Sequence, residues 1–368
     1  MGKGPGTVNI SGSEHLGGKT VFVTGATGFI GRRLVPALLN SGAKVTVLLR
    51  SRHGARALEA SGVHVVTGAM NDRTAIETAL HGQSVLIHLA YDMRAPAARN
   101  LDAFEALKSA AEAAGVGRIV HVSSIVVYDG WPQENLTEQS ATTNPGGTPY
   151  RQAKLAMEQA LIQGKCPVAI LQPTLVYGPG SMLWTDRLTD WLAGGTVVLP
   201  EPEGICNGVF VDDLVQALLR ASVIDDLGRE RFIISGPEPF AWSGLIGGYA
   251  EIIGRGAIRH VPVRRLRDSL PPEDTGEIPD TPPLAARVSA TARAWIGRER
   301  FESLVRRLKR HLPSDAEVYP DRYMLDLYSA TGRCRIDHAR TRLGYAPAHD
   351  LKAGLAATRA YLESRYGK

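Results

Sequence analysis

Short runs of apolar, β-branched residues alternate with amphipathic segments through the first two-thirds of the chain. The runs fall at residues 20–24, 43–49, 63–67, 84–90, 118–123 and 167–172. Between them, apolar positions recur at helical spacing over 30–41, 54–60, 73–80, 98–114 and 149–163. Short, continuously apolar runs suit strands buried on both faces, and alternation of strand with helix builds a parallel sheet covered on both sides. The expected fold class is therefore α/β, with a doubly wound parallel sheet. Ligands of such sheets bind at the carboxyl ends of the strands, and that edge collects Gly25, Arg50, Ala90, Ser124 and Pro173.

The turn after the first run reads Thr24-Gly25-Ala26-Thr27-Gly28-Phe29-Ile30-Gly31 and opens a segment with Leu34, Leu38 and Leu39 at helical spacing. Glycines at a strand-to-helix turn permit a tight bend, a close approach of backbone N–H groups to a pyrophosphate, and close packing of helix on sheet. The anion then rests on the positive end of the helix. Much later comes Tyr150-Arg151-Gln152-Ala153-Lys154, which sets a phenol one helical turn from an ammonium. Alone, such a pair reads as a helical surface pair. With the glycine loop it indicates a nicotinamide enzyme moving hydride at a carbon that bears oxygen.

The residues after the second run bear on which nicotinamide cofactor is used. An acidic side chain there would bind the adenosine ribose diol and repel a 2′-phosphate. The chain instead carries Arg50, Ser51 and Arg52, and guanidinium groups suit bidentate phosphate contacts. NADP(H) is expected, NAD(H) stays open, and a solvated basic turn is the plainer alternative.

Composition adds limits. Hydrophobic residues make up 44% and charged residues 21%, which fits a globular chain with a large core rather than a disordered one. A net charge of +5 is mild for 368 residues and points to anionic small ligands rather than nucleic acid. Cys166, Cys206 and Cys334 are odd in number and lack metal-type spacing, so no structural disulfide and a reducing, cytoplasmic location are expected. The ten histidines show no zinc-type spacing, and no metal is expected. No apolar run approaches a membrane span and no signal-type segment opens the chain.

Several further segments occur in order: His88-Leu89-Ala90, Ser123-Ser124-Ile125-Val126-Val127-Tyr128, Pro173-Thr174-Leu175-Val176-Tyr177-Gly178-Pro179-Gly180, Phe210-Val211-Asp212-Asp213-Leu214 and Leu343-Gly344-Tyr345-Ala346-Pro347. Together with the glycine loop and the Tyr150/Lys154 pair, this succession closely resembles the extended short-chain dehydrogenase/reductases, the NAD(P)-dependent epimerases, dehydratases and reductases. The likeness covers about residues 19–245 and 330–365. It implies a Rossmann-type sheet with a smaller C-terminal substrate lobe. Tyr150 would be the general acid/base, Lys154 its cationic neighbour and a ligand of the nicotinamide ribose, and Ser124 a hydrogen-bond donor to the reacting oxygen. Gly25, Thr27, Gly28, Phe29, Ile30, Gly31, Leu89, Ala90, Pro173 and Val176 would line the cofactor. A homodimer through the helices at 98–114 and 149–163 is implied as well.

The departures from the family narrow the reaction. Ser124-Ile125-Val126 stands where sugar-nucleotide dehydratases carry Thr-Asp-Glu, so the acid and base that expel water are missing. Gln172-Pro173-Thr174 and Asn207-Gly208-Val209-Phe210 replace groups that anchor a nucleotide diphosphate in epimerases, closer to hydroxysteroid dehydrogenase and dihydroflavonol reductase relatives. Gly68-Ala69-Met70 lacks the usual Asp after the third strand, which puts the adenine contact in doubt. Asn100 and His88 read as structural, and Asp212 and Asp213 as an N-terminal helix cap rather than a metal pair.

The expected organisation is a flexible tail over 1–18, a dinucleotide-binding domain over 19–172 with a returning segment at about 205–240, and a substrate lobe from 173 to 368. Within that lobe, about 255–325 is unfamiliar. It holds a Pro-rich stretch and a basic amphipathic segment over 291–312, with Phe301, Leu304, Val305, Leu308 and Leu312 on one face and Arg306, Arg307, Lys309 and Arg310 on the other. Packing over the substrate cleft is preferred for it to peripheral membrane contact. The expectation is an NADP(H)-dependent reductase or dehydrogenase for an alicyclic or polycyclic ketone or a modified sugar. A sugar-nucleotide epimerase and a non-catalytic dinucleotide sensor are the alternatives.

Overall fold

The computed structural model describes residues 16–144, 146–271 and 316–367. Six strands, β1 (Thr20–Thr24), β2 (Lys44–Leu49), β3 (His64–Thr67), β4 (Val85–His88), β5 (Arg118–Val122) and β6 (Val168–Pro173), join the strand Arg229–Ile234 in one seven-stranded sheet. Its order is Arg229–Ile234, β6, β5, β4, β1, β2, β3, and all neighbours run parallel. Helices α1 (Gly31–Asn40), α2 (Ala55–Ala60), α3 (Arg73–Leu80), α4 (Ala97–Ala113) and α5 (Pro149–Ile162) make the crossovers. β1–β6 and α1–α5 are the elements read from the hydrophobic pattern, with ends moved by a residue or two, and the strand Arg229–Ile234 is added to them.

Alternation along each strand sorts side chains to two cores. Val21, Val23, Val45, Val47, Val85 and Ile87 pack with Leu34 and Leu38 of α1 and with Leu214 and Leu218 of the helix Val211–Val223. Phe22, Leu48, Leu86 and Ile119 pack on the other face with Ile76 of α3, Phe104 and Leu107 of α4, and Met157 and Leu161 of α5. Each fully buried Val, Leu or Phe is worth about 1.5–3 kcal/mol, against ~0–1 kcal/mol for an exposed ion pair, so burial of both faces holds the sheet. The order of strands reverses between β1 and β4, and at such a reversal the carboxyl edge is where sheets of this kind offer a ligand crevice.

The remaining residues build a smaller unit. Strand Gly195–Glu201 lies between Ala257–Pro262 and Ala316–Val318, all parallel. Trp242, Tyr249, Tyr328 and Tyr177 form the centre of its core. Buried polar ties join this unit to the sheet domain. Asn207 donates to the carbonyl of Gly332 at 2.8 Å and accepts from the N–H of Cys334 at 3.0 Å. Asp213 is buried and accepts from the N–H groups of Ala348 (3.0 Å) and His349 (3.1 Å), with His349 Nδ1 at 2.8 Å.

Two expectations change. Asp212 and Asp213 lie in the first turn of their helix, but Phe210 holds the capping position and no side chain caps it. Both carboxylates have stronger partners to the side, Asp212 with Arg33 (Nε to Oδ1 2.7 Å) and Asp213 with residues 348–349. Leu16, within the stretch expected as a flexible tail, is ordered core instead. Leu16 is buried in the core against α1 and β2, and its N–H donates to Ser41 at 2.9 Å. Residues 1–15 and the amphipathic segment at 291–312 lie outside the described residues.

The three cysteines are buried free thiols. Among the described residues, no helix is long and apolar enough to cross a membrane, and no group of three or more His, Cys, Asp or Glu could hold a metal ion.

Asp213→Ala leaves two backbone N–H groups without their acceptor, and each orphaned buried group costs about 1–3 kcal/mol. Urea unfolding should show a loss of about 2–4 kcal/mol. Asp212→Ala, whose pair with Arg33 is less buried, should lose about 1 kcal/mol. Equal losses would contradict this assignment of the tie.

Candidate active site

The glycine loop is built by close contact. Gly25 has φ +76°, a conformation that disfavours other residues, and a Cβ there would lie 3.0 Å from the N of Ala90. A Cβ on Gly31 would fall 2.3 Å from the carbonyl of Gly25 and 2.6 Å from Cα of Ala26. The first residue of α1 therefore sits directly on the loop. Gly28 N–H donates back to Gly25 at 2.9 Å. No side chain caps α1 and its first turn has no acidic residue, so its positive end faces the crevice available to an anion. Thr27 is exposed and its carbonyl accepts from Arg32 at 2.9 Å. Ile30 packs against both cores, Phe29 packs against the core of the smaller unit, and Gly180 lies next to Phe29. This loop, closed to a Cβ at Gly31 and strained against one at Gly25, fits a dinucleotide pyrophosphate.

Tyr150 and Lys154 stand on α5, whose start is set by Thr148 accepting from Arg151 N–H and by Pro149 in the first turn. Lys154 is buried and donates to the carbonyl of Val122, at the end of β5, at 2.8 Å. Its Nζ lies 5.9 Å from the Tyr150 ring centre and 5.0 Å from that of Tyr91. Tyr91 meets Tyr150 edge-on at 5.1 Å. Burial lowers Lys154 to about 8, against a pull upward from the Glu158 carboxylate. Burial likewise raises Tyr150 to about 12, with Tyr91 and Tyr323 adding to the rise and a hydrogen bond with Ser124 opposing it. Desolvation thus holds the phenol protonated.

Ser124 opens a short 3₁₀ turn, Ile125–Val127, and its Oγ accepts weakly from Val126 N–H at 3.4 Å. Arg151 fixes this turn to α5. It donates to the carbonyls of Val126 (2.9 Å) and Val127 (3.1 Å), to those of Asn144 and Gly146, and pairs with Asp129. The residue beside Tyr150 thereby holds the Ser124 turn against the tyrosine helix.

Behind Lys154 lies a buried histidine pair. His88 Nδ1 and His121 Nδ1 are 2.9 Å apart, the rings stack at 5.0 Å, and Phe104 flanks both. Burial and the Lys154 charge lower His88 to about 3 and hold His121 well below its ordinary value. Both rings are neutral, with one proton between the facing nitrogens.

Beyond the end of β2, Arg50 and Ser51 are exposed, and Arg50 reaches Asp92 at 3.2 Å. Arg52 pairs with Glu59 at 2.7 Å. Leu89 and Ala90 line the crevice by touching Gly25, Leu89 N–H donating to Thr24 at 3.3 Å. Pro173 ends β6, and half-buried Val176 lies in the strand Leu175–Tyr177 just beyond it. The structure thus gathers the glycine loop with Leu89 and Ala90, and Ser124 with Tyr150 and Lys154. Tyr91, Asp92, Tyr323, His121 and Arg151 escaped the sequence reading. Only Arg151, next to Tyr150, carried a positional signal.

A model of the NAD dependent epimerase/dehydratase family matches residues 21–232. A 4-hydroxy-2-methyl-3-oxo-4-farnesyl-3,4-dihydroquinoline-1-oxide ketoreductase of Stigmatella aurantiaca is 27% identical over 210 residues, 52% of this chain and 63% of that protein. The match thus spans less than two-thirds of that relative. A ceramide reductase of Caulobacter vibrioides is 29% identical over 242 residues, 64% of this chain and 70% of the relative. In fold, the chain matches the structure of an epimerase from Methanothermobacter thermautotrophicus with a TM-score of 0.70 and 18% identity, over 96% of this chain and 95% of that one.

The histidine pair has a pH signature. Both folded values lie below the ordinary 6.5, so the unfolded chain binds more protons and stability falls as pH drops from 6.5 toward 3. His88→Leu with His121→Leu should flatten that fall in urea unfolding measured at stepped pH. An unchanged slope would mean the rings are not buried neutral.

Proposed function

The chain belongs to the NAD dependent epimerase/dehydratase family, and from that premise we propose that it is an NADP(H)-dependent oxidoreductase interconverting a ketone and a secondary alcohol. The observation that carries this reading is the protonated Tyr150 phenol beside the Ser124 hydroxyl, with the Lys154 ammonium behind it. When bound, the nicotinamide supplies the hydride that reaches the carbonyl carbon. Ser124 donates a hydrogen bond to the carbonyl oxygen, and Tyr150 delivers its proton there. Lys154 stabilises the phenolate that remains. The Gly25–Gly31 loop would hold the pyrophosphate, and Arg50 and Arg52 an adenosine 2′-phosphate.

Two observations support a substrate with an apolar body. Among the described residues, the exposed large apolar side chains are Met93, Met182, Leu183, Tyr319 and Tyr323. Tyr323 acts on Tyr150, Met93 follows Tyr91, and Met182 and Leu183 follow Gly180 beside Phe29. Gln172 and Asn207, in the positions where epimerases anchor a nucleotide diphosphate, are turned inward. Gln172 bonds Tyr128 and Glu158, and Asn207 bonds residues 332 and 334. The likeness to a ketoreductase and a ceramide reductase agrees with an apolar ketone.

One observation favours the second reading, an NAD-dependent sugar-nucleotide epimerase: the Asp92 carboxylate stands at the adenosine end, where it could meet a ribose diol. The homodimer implied by the resemblance would use α4 and α5, which are adjacent on one face of the sheet.

Tyr150→Phe should lower ketone reduction by about 10²–10⁴-fold with NADPH affinity unchanged, as a lost general acid does. Activity near that of the wild type would sink the mechanism, and a surviving regulatory output without turnover would favour the sensor. In wild type, kcat/KM for reduction should fall as pH rises through about 8, where Lys154 loses its proton. Lys154→Arg, which stays charged, should abolish that limb, and a limb that persists belongs to another group.

A further inference from the structure

Arg50 leaves β2 and Asp92 follows β4, and in the sheet those strands flank β1. Their ion pair, Nη1 to Oδ2 at 3.2 Å, therefore spans the carboxyl end of β1, where the glycine loop begins. The segment that carries Asp92 is in contact with that loop, since a Cβ on Gly25 would meet Ala90 N at 3.0 Å. We propose that Asp92 sets the preference between NADPH and NADH by competing with the adenosine 2′-phosphate for Arg50. This rests on the NADP(H) reading given above.

The two partners differ in freedom. Asp92 is anchored: its N–H donates to Asn100 Oδ1 at 2.8 Å, its carbonyl accepts from Asn100 Nδ2 at 3.0 Å, and its carboxylate accepts from Arg94 N–H at 3.1 Å and Arg94 Nε at 3.3 Å. Arg50 is a long side chain, 72% exposed, that meets Asp92 through one nitrogen. Arg50 is the partner that can turn away, and Asp92 keeps the Arg94 donors when it does. An exposed pair of this kind is weak. A phosphate monoester carries about −1.5 to −2 charges at neutral pH against −1 for a carboxylate, so the exchange runs toward the phosphate. NADH, which lacks that phosphate, has nothing to offer Arg50 in exchange. Arg52, already paired with Glu59, stands next along the same turn and can join the phosphate without being held across the crevice.

Direct binding of NADPH, NADH and 2′,5′-ADP, measured by titration calorimetry at low ionic strength, tests the exchange. Asp92→Asn should tighten NADPH and 2′,5′-ADP about threefold and leave NADH unchanged. Arg50→Gln should weaken NADPH and 2′,5′-ADP. In the double variant, Asp92→Asn should have no further effect, because the competition needs Arg50. Asp92→Ser, compared with Asp92→Asn, removes the charge with a different shape and should give the same tightening. If Arg50→Gln weakens NADPH but Asp92→Asn does not tighten it, the exchange is wrong and the NADP(H) reading stands. Loss of NADH affinity in Asp92→Asn would instead place the carboxylate on the ribose and overturn the exchange. If Arg50→Gln leaves NADPH and 2′,5′-ADP unchanged, both readings fall.

Discussion

The close seat of α1 on the glycine loop is the constraint from which the site follows. Gly31 leaves no room for a Cβ against Gly25 and Ala26, so the helix starts directly on the turn that ends β1. That seat aims an uncapped helix end, with its partial positive charge, into the crevice between β1 and β4. Gly25 at positive φ brings the loop against Leu89 and Ala90, which ties the crevice wall to the exit of β4. Any side chain at Gly31 would separate helix from loop and spread the N–H groups that face an anion.

Ser124 and Tyr150 are arranged by a second fixed point, Arg151. One guanidinium bonds the carbonyls of Val126 and Val127 and the Asp129 carboxylate, while its backbone belongs to α5. The spacing between Ser124 and Tyr150 is thereby set by a neighbour of the tyrosine rather than by the two groups themselves. Lys154 is fixed from the other side by the carbonyl at the end of β5. Desolvation then decides the charges: it keeps the phenol protonated, brings the ammonium near neutrality of pH, and leaves the histidine pair uncharged. On the proposed reading, a site so composed gives a proton to oxygen.

The sheet and its helices were legible because both faces of every central strand are buried, which writes continuous apolar runs such as Val21-Phe22-Val23 into the chain. The glycine loop and the Tyr150/Lys154 pair were legible because each chemical demand falls within a few residues. Partners that come from distant strands left no such trace. Asp92 meets Arg50, His121 meets His88, and Asp213 meets residues 348–349 only after the sheet order is known. One turn of helix brings Lys154 near Tyr150 but says nothing of the desolvation around the phenol, which depends on the packing. Leu16 shows the same limit at the N-terminal end, where an isolated leucine in a glycine- and serine-containing stretch is core.

The central claim is a reductase that takes up and releases its dinucleotide, in contrast to an epimerase that recycles one. The direct test is to denature the purified protein and identify any dinucleotide it releases, then follow uptake by the emptied chain. The account predicts a chain that gives up its dinucleotide on dialysis and rebinds NADPH more tightly than NADH. One retained, non-exchanging NAD⁺ per chain would contradict it.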